Sequence, residues 1–293
     1  MSRFLMLFKF LAVGFSLALL INGCAHVPPK GQAKAEPEVK ELPIPPEFKD
    51  STEREFALGG VIKTYDDVAW LGTDAVMAAG YKPQSADHPV YVVEPTANDL
   101  KGMYQFSFIT EKYGKLSVAA IADVDHQVGM GKVTGARVMS PGVEPSYQDT
   151  QMYAAYRAAL DAPDLKLCNA TYNHVVIPYG EGDNLEYRVY FLMSSNKKGV
   201  APLGGHVLVR VARDAKTIIE VKPLAKSCMM SLNTDDKHVA ALEFSDLALD
   251  SPSAAQVFLM LRYQLPVYLI TRNQFLWAID SRGIRLLSEG KNK

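Results

Sequence analysis

The chain has 293 residues, 48% of them hydrophobic, and its 31 lysines and arginines nearly cancel 32 aspartates and glutamates to leave a formal charge of −1. A balance so close to neutral provides no basic field to hold nucleic acid. The length suits one large domain or two small ones, with ample material for a core.

At the N-terminus, Arg3 and Lys9 are the only charges before an apolar run over residues 11–21, which polar Asn22 closes. That run falls short of the roughly 20 apolar residues a spanning helix needs, so residues 1–23 read as a secretory signal peptide. Ile21, Asn22, Gly23 and Cys24 resemble the lipobox of bacterial lipoproteins: an aliphatic residue, a tolerated residue and a small one ahead of a cysteine. The resemblance covers about 25 residues. It implies a diacylglycerol on the Cys24 thiol, cleavage before Cys24 and acylation of the freed amine. Two or more acyl chains anchor stably, since each buried methylene contributes about 0.8 kcal/mol. Ala25 stands where such lipoproteins carry an aspartate for inner-membrane retention, which implies the periplasmic face of an outer membrane.

Residues 24–50 hold the lipidated cysteine and a linker in which Pro28, Pro29, Pro37, Pro43, Pro45 and Pro46 alternate with charges. So few large apolar side chains do not offset the entropy of ordering, and the segment reads as a semi-extended tether of at most about 80 Å. The stretch of it best suited to packing on the body is residues 42–48. Without Arg3 and Lys9 the net charge moves from −1 to −3.

The body, residues 51–293, is expected to be α+β with an antiparallel meander, as one domain or as halves 51–145 and 146–293. A first helix is predicted over residues 64–79, with Thr64 as its cap, Asp66 and Asp67 at the positive end of its dipole, and Gly80 as its stop. Residues 90–94 read as a strand. Alternating Tyr104, Phe106 and Phe108, a turn at residues 112–115 and a return over 116–124 predict a hairpin. Clustered Gly and Pro between 129 and 145 predict a loop or boundary. An alanine-rich second helix is predicted over 147–162.

Beyond it, strands are expected at 175–177, 187–193, 207–211 and 217–222, with a turn at 213–216 between the last two. Gly204 and Gly205 suggest a tight strand entry or a bulge. Three closing strands are predicted at 267–271, 275–279 and 284–287. The five large apolar residues 257–261 read as a buried strand, with a helix started at residues 251–253 as the other reading.

Candidate chemistry is thin. Cys168 and Cys228 lie at element ends in an exported chain, where a disulfide is the simplest reading; two buried thiols or a catalytic thiol are the others. Asp123, Asp125 and His126 offer metal-ligand atom types, but no second cluster answers them, and solvated loop residues account for them. His174 and His206 sit beside apolar strands as structural histidines do, and His238 reads as surface. Ser194, Ser195 and Ser227 lack the turn that presents a hydrolase nucleophile, and Gly129 with Gly131 lacks the dinucleotide pattern. Adjacent Asp66 and Asp67 diverge on a helix and make a poor acid/base pair. No cofactor or metal is implied.

Two functions follow from this reading. One is a non-enzymatic binding or envelope-assembly module, held to the membrane by its lipid and meeting an envelope protein, with strand addition at a sheet edge as the physical mode. The other is an envelope hydrolase whose site is assembled from distant segments around His126, His174 or His206. The spacing of Gly204, Gly205 and His206 with Lys226, Ser227 and Cys228 resembles bacterial envelope domains of no assigned activity, which implies a location and no chemistry.

Overall fold

The computed structural model describes residues 40–84, 89–96, 102–127, 131–225, 227–231, 234 and 238–290. The signal peptide, Cys24 and most of the tether lie outside these residues. The fold is α+β, rich in antiparallel sheet, and is organised on one long helix. That helix, α1 (Pro46–Ala78), begins inside the stretch read as tether and well before Thr64. Pro46 sits at its start, where a missing N–H costs nothing and a fixed φ favours the helix. It ends as the sequence suggests, with Gly80 at φ +98° and Tyr81 N–H returning to the Val76 carbonyl at 2.9 Å.

At 1.5 Å per residue its 33 residues span about 50 Å, enough to serve three sheets. Glycine inside a helix costs about 1 kcal/mol against alanine, yet α1 carries Gly59 and Gly72. Close approach explains both: a Cβ at Gly59 would run into Val257, and one at Gly72 into the Phe106 ring.

The first sheet is β1 (Val90–Pro95), β2 (Met103–Lys112), β3 (Lys115–Asp125) and β4 (Lys132–Val138), antiparallel in that order. The β2–β3 hairpin is the one predicted. Strand β4 corrects the expectation of a loop there: it is a mostly exposed edge strand, and its glycines obscured it. After it, α2 (Tyr147–Leu160) starts at Ser146, whose Oγ accepts the Asp149 N–H at 2.8 Å. The second sheet is β5 (Thr171–Tyr179), β6 (Glu186–Ser194), β8 (Val207–Ala212) and β9 (Ile218–Pro223), also antiparallel; β7 (Ala201–Pro202) pairs instead with β10 (Met230–Ser231). Gly205, at φ +74°, makes the tight entry to β8.

The third sheet orders β11 (Leu242–Asp246), β12 (Val267–Thr271), β13 (Leu276–Asp280) and β14 (Gly283–Ser288). Its β11–β12 pair is parallel, a departure from a pure meander, and so needs a crossover. The crossover is α3 (Ala254–Tyr263), which corrects the buried-strand reading of residues 257–261. Ser253 and Gln256 form a reciprocal capping box, and the run from Ala254 to Met260 is buried all round, so no amphipathic period marks it.

Strand alternation sends side chains to two cores. Tyr190 and Leu192 of β6 face α1, α3 and the third sheet, in a cluster with Ile62, Val68, Phe106 and Trp277. Tyr187, Val189 and Phe191 of the same strand face α2, together with Val90, Val92 and Ile109 of the first sheet. These described residues fall in one compact unit with no division at residue 145. The end of the tether joins it: Leu42 N–H bonds the Leu286 carbonyl at 2.8 Å, and the Phe48 ring meets Phe275 and Trp277 edge-on.

Candidate functional site

Midway along α1 lies a buried polar node, where exposed residues at a helix start were expected. Asp66 and Asp67 are only 3% and 4% exposed, and they sit in the helix interior rather than at its dipole end. Four side chains converge on them. Asn173 of β5 donates Nδ2–H to Asp66 Oδ1 at 3.0 Å, and Arg262 of α3 places Nη1 3.4 Å from Asp66 Oδ2 and 3.8 Å from Asp67 Oδ1. Lys63, one turn back, reaches Asp67 Oδ2 at 2.5 Å, and His126, just past β3, brings Nε2 to the same oxygen at 3.2 Å. Burial pushes the Asp66 carboxyl above its ordinary range, against the Arg262 charge and the Asn173 hydrogen bond that pull it down. Two aspartates therefore face a lysine and an arginine, with an imidazole completing the shell.

Beside this node the surface opens into a pocket of 320 Å³ lined by Asp66, Ala69, Trp70, Thr73, Tyr91, Phe108 and Asn173. Trp70 stands 49% exposed at its rim. Met77, two turns further along the same face of α1, is also exposed. Phe108 and Tyr91 form inner walls that are themselves held: Tyr91 stacks on Phe106, and its hydroxyl donates to the His174 carbonyl at 2.7 Å while accepting the His174 N–H at 3.0 Å.

The three candidate histidines separate into different roles. His174 is buried between the rings of Tyr91 and Tyr156, with centroids 4.0 and 4.1 Å away, and its Nε2–H donates to the Tyr91 carbonyl at 2.9 Å. Burial lowers its pKa to about 4, the Tyr91 hydrogen bond opposing. His206 is fully buried; its Nδ1 accepts the Met193 N–H at 3.1 Å, and its Nε2–H donates to the Pro202 carbonyl at 3.1 Å. Burial again lowers the pKa to about 4, so both imidazoles are neutral struts at pH 7. His126 alone of the three lies against a carboxylate. Its sequence neighbours do not join it: Asp123 pairs with Arg137 at 3.0 Å, and Asp125 accepts the Gln127 N–H at 3.0 Å. Among the described residues no group of three or more His, Cys, Asp or Glu is placed to hold a metal ion. His238 is exposed.

Cys168 and Cys228 form the disulfide, with Cα atoms 5.9 Å apart. The bridge staples the segment after α2 to the segment after β9. Tyr172 reinforces the corner, its hydroxyl accepting the Cys168 N–H at 2.9 Å and donating to the Gly205 carbonyl at 3.0 Å.

A second pair of carboxyls meets where β1 passes the start of α2. Ser146 Oγ donates to Glu94 Oε1 at 3.1 Å, and the buried Asp149 Oδ1 has no other hydrogen-bond donor among the described residues. Burial, then the hydrogen bond and charge of Asp149, push Glu94 up to about 8.

Trp70, Asn173 and Arg262 were not singled out from the sequence. The available signal was Trp70 and Met77 at seven-residue spacing, which sets a large aromatic on the solvent side of a buried helix. No protein-family profile, curated protein or solved structure matches this chain.

Proposed function

We propose that this chain is an outer-membrane lipoprotein, anchored through Cys24 on the periplasmic face, whose body is a non-enzymatic module that binds an envelope component at the Trp70 face of α1. Support for the anchor comes from the lipobox resemblance and from a disulfide that suits an oxidising compartment. Among the described residues no helix is long and apolar enough to cross a membrane. The observation that carries the binding reading is the half-exposed Trp70 over an aromatic-walled pocket with a few convergent polar groups, the usual anatomy of a recognition site. Mass spectrometry of the N-terminal peptide tests the anchor: a triacylated Cys24 is expected, and an unmodified cysteine overturns it. In-cell crosslinking of the native protein, with Cys24→Ser as the unanchored control, tests the binding. A reproducible capture that depends on both Cys24 and Trp70 is expected, and loss of dependence on Trp70 rejects this face.

The hydrolase reading keeps one specific observation, the His126 Nε2 to Asp67 Oδ2 contact at 3.2 Å. Lys63 shares that oxygen and restrains it as a partner for a general base. Hydrolysis of envelope substrates that His126→Ala abolishes, with folding intact, would establish it.

A further inference from the structure

We infer that the Trp70 pocket binds a neutral pyranose ring; this rests on reading the face as a binding site. A pyranose is amphipathic: one face presents C–H groups and its rim presents hydroxyls that both donate and accept. The pocket lining carries both kinds of group. Trp70 provides a half-exposed aromatic face at the rim and Phe108 a ring in the wall, whose negative π-clouds attract polarised C–H groups. Asp66 and Thr73, on the same face of α1 as Trp70, and Asn173 of β5 line the same pocket and together offer acceptors and donors.

Among the described residues the Asn173 side chain bonds Asp66 alone, so its Oδ1 and second N–H remain for a ligand. The carboxylate and the amide are locked to each other at 3.0 Å before any ligand arrives, so little ordering is left to be done on binding. Trp70 on α1 is likewise fixed by a helix rather than a loop.

Charge decides between a sugar and a cation, which an aromatic pocket above a carboxylate would otherwise also suit. Asp66 and Asp67 are already matched by Arg262 and Lys63. A ligand cation would have to compete with the Arg262 guanidinium for Asp66, whereas an uncharged ring leaves the balance intact. Size agrees: at 320 Å³ the pocket lies at the low end of the roughly 300–1,000 Å³ typical of small-molecule sites, which fits one or two rings.

The test uses the purified full-length protein in a polyoxyethylene detergent, which carries no sugar. Trp70 is one of two tryptophans. The other, Trp277, is fully buried and donates its Nε1–H to Thr271 Oγ1 at 3.0 Å, so it forms a constant background. The N-acetylglucosamine trimer and maltotriose are titrated while tryptophan emission and saturation-transfer NMR are read, with choline as the cationic control. Saturable quenching and transfer to ring protons are expected from at least one trisaccharide, and which one distinguishes an acetamido-sugar source from a plain hexose source. Trp70→Ala should weaken binding by about tenfold at an unchanged melting temperature, Asn173→Ala should weaken it as far while also lowering that temperature, and Trp70→Phe, silent in fluorescence, retains transfer by NMR. No response to either sugar overturns the inference, as does choline binding more tightly than both. If crosslinking in cells still depends on Trp70 when the sugars fail, only this inference falls; if that dependence is absent too, the binding-face reading falls with it.

Discussion

Asn173 and Asp66 meet at 3.0 Å across 107 residues of sequence, and that contact joins the second sheet to the middle of α1. With Arg262 arriving from α3 and His126 from the end of β3, the two adjacent aspartates become a polar junction in the middle of the helix. A buried charged group that loses its partner costs more than the pair contributes, because the remaining charge stays desolvated. Asp67→Ala, which strips Lys63 and His126 of their shared oxygen, is expected to cost about 2–4 kcal/mol. Urea titration checks it through a lowered midpoint, and an unchanged midpoint would show the junction to be ornamental.

The raised carboxyl of Glu94 gives stability a pH dependence of definite sign. A carboxyl raised from 4.5 to about 8 keeps its proton in the fold while the unfolded chain loses it. Its contribution is full below pH 4.5 and declines as pH rises to about 8. Glu94→Gln, permanently neutral and still a hydrogen-bond donor, should abolish that decline and gain on the wild type at pH 8. Thermal melts of the two proteins from pH 5 to pH 9 decide it, and parallel profiles would refute the pairing.

His174 acts in the opposite direction. Its folded pKa near 4 lies below the unfolded value of 6.5, so the unfolded chain takes up a proton first and stability is lost as pH falls from 6.5 towards 4. His174→Phe keeps a ring between Tyr91 and Tyr156 but leaves the Tyr91 carbonyl without its donor, at about 1–2 kcal/mol near pH 8. Near pH 5 that deficit should shrink or reverse, because phenylalanine has no proton to refuse. A deficit that is the same at both pH values would mean that the imidazole is not held neutral.

Closing a loop of 60 residues, the Cys168–Cys228 bridge is expected to contribute about 4 kcal/mol through the unfolded chain. Cys168→Ser with Cys228→Ser should lower the melting temperature by an amount that reductant reproduces in the wild type and does not add to in the variant. If reductant leaves the wild type unmoved, the bridge contributes nothing.

Much of this architecture was legible because it is local. The β2–β3 hairpin announces itself by alternation around a tight turn, and α2 by its alanine content. The misreadings have physical causes. Burial on every side erased the helical period of α3, and its real signal was the Ser253 and Gln256 pairing. Pro43, Pro45 and Pro46 suggested tether where one of them starts a helix. The site was hidden for a different reason: nothing near Asp66 foretells Asn173 or Arg262, since only the packed fold brings β5 and α3 to α1. Trp70 could have been noticed as an outward aromatic, but the pocket beneath it exists only once β1, β2 and β5 are in place.

The most direct test of the account is in-cell photocrosslinking with a photoreactive residue at position 70, compared with one at Tyr113, which is fully accessible at the tip of the β2–β3 turn. Efficient, reproducible capture from position 70 in the anchored protein, well above that from position 113 and lost in Cys24→Ser, is the predicted result. Equal capture at both positions, or capture indifferent to Cys24, would contradict a lipid-anchored module that binds through this face.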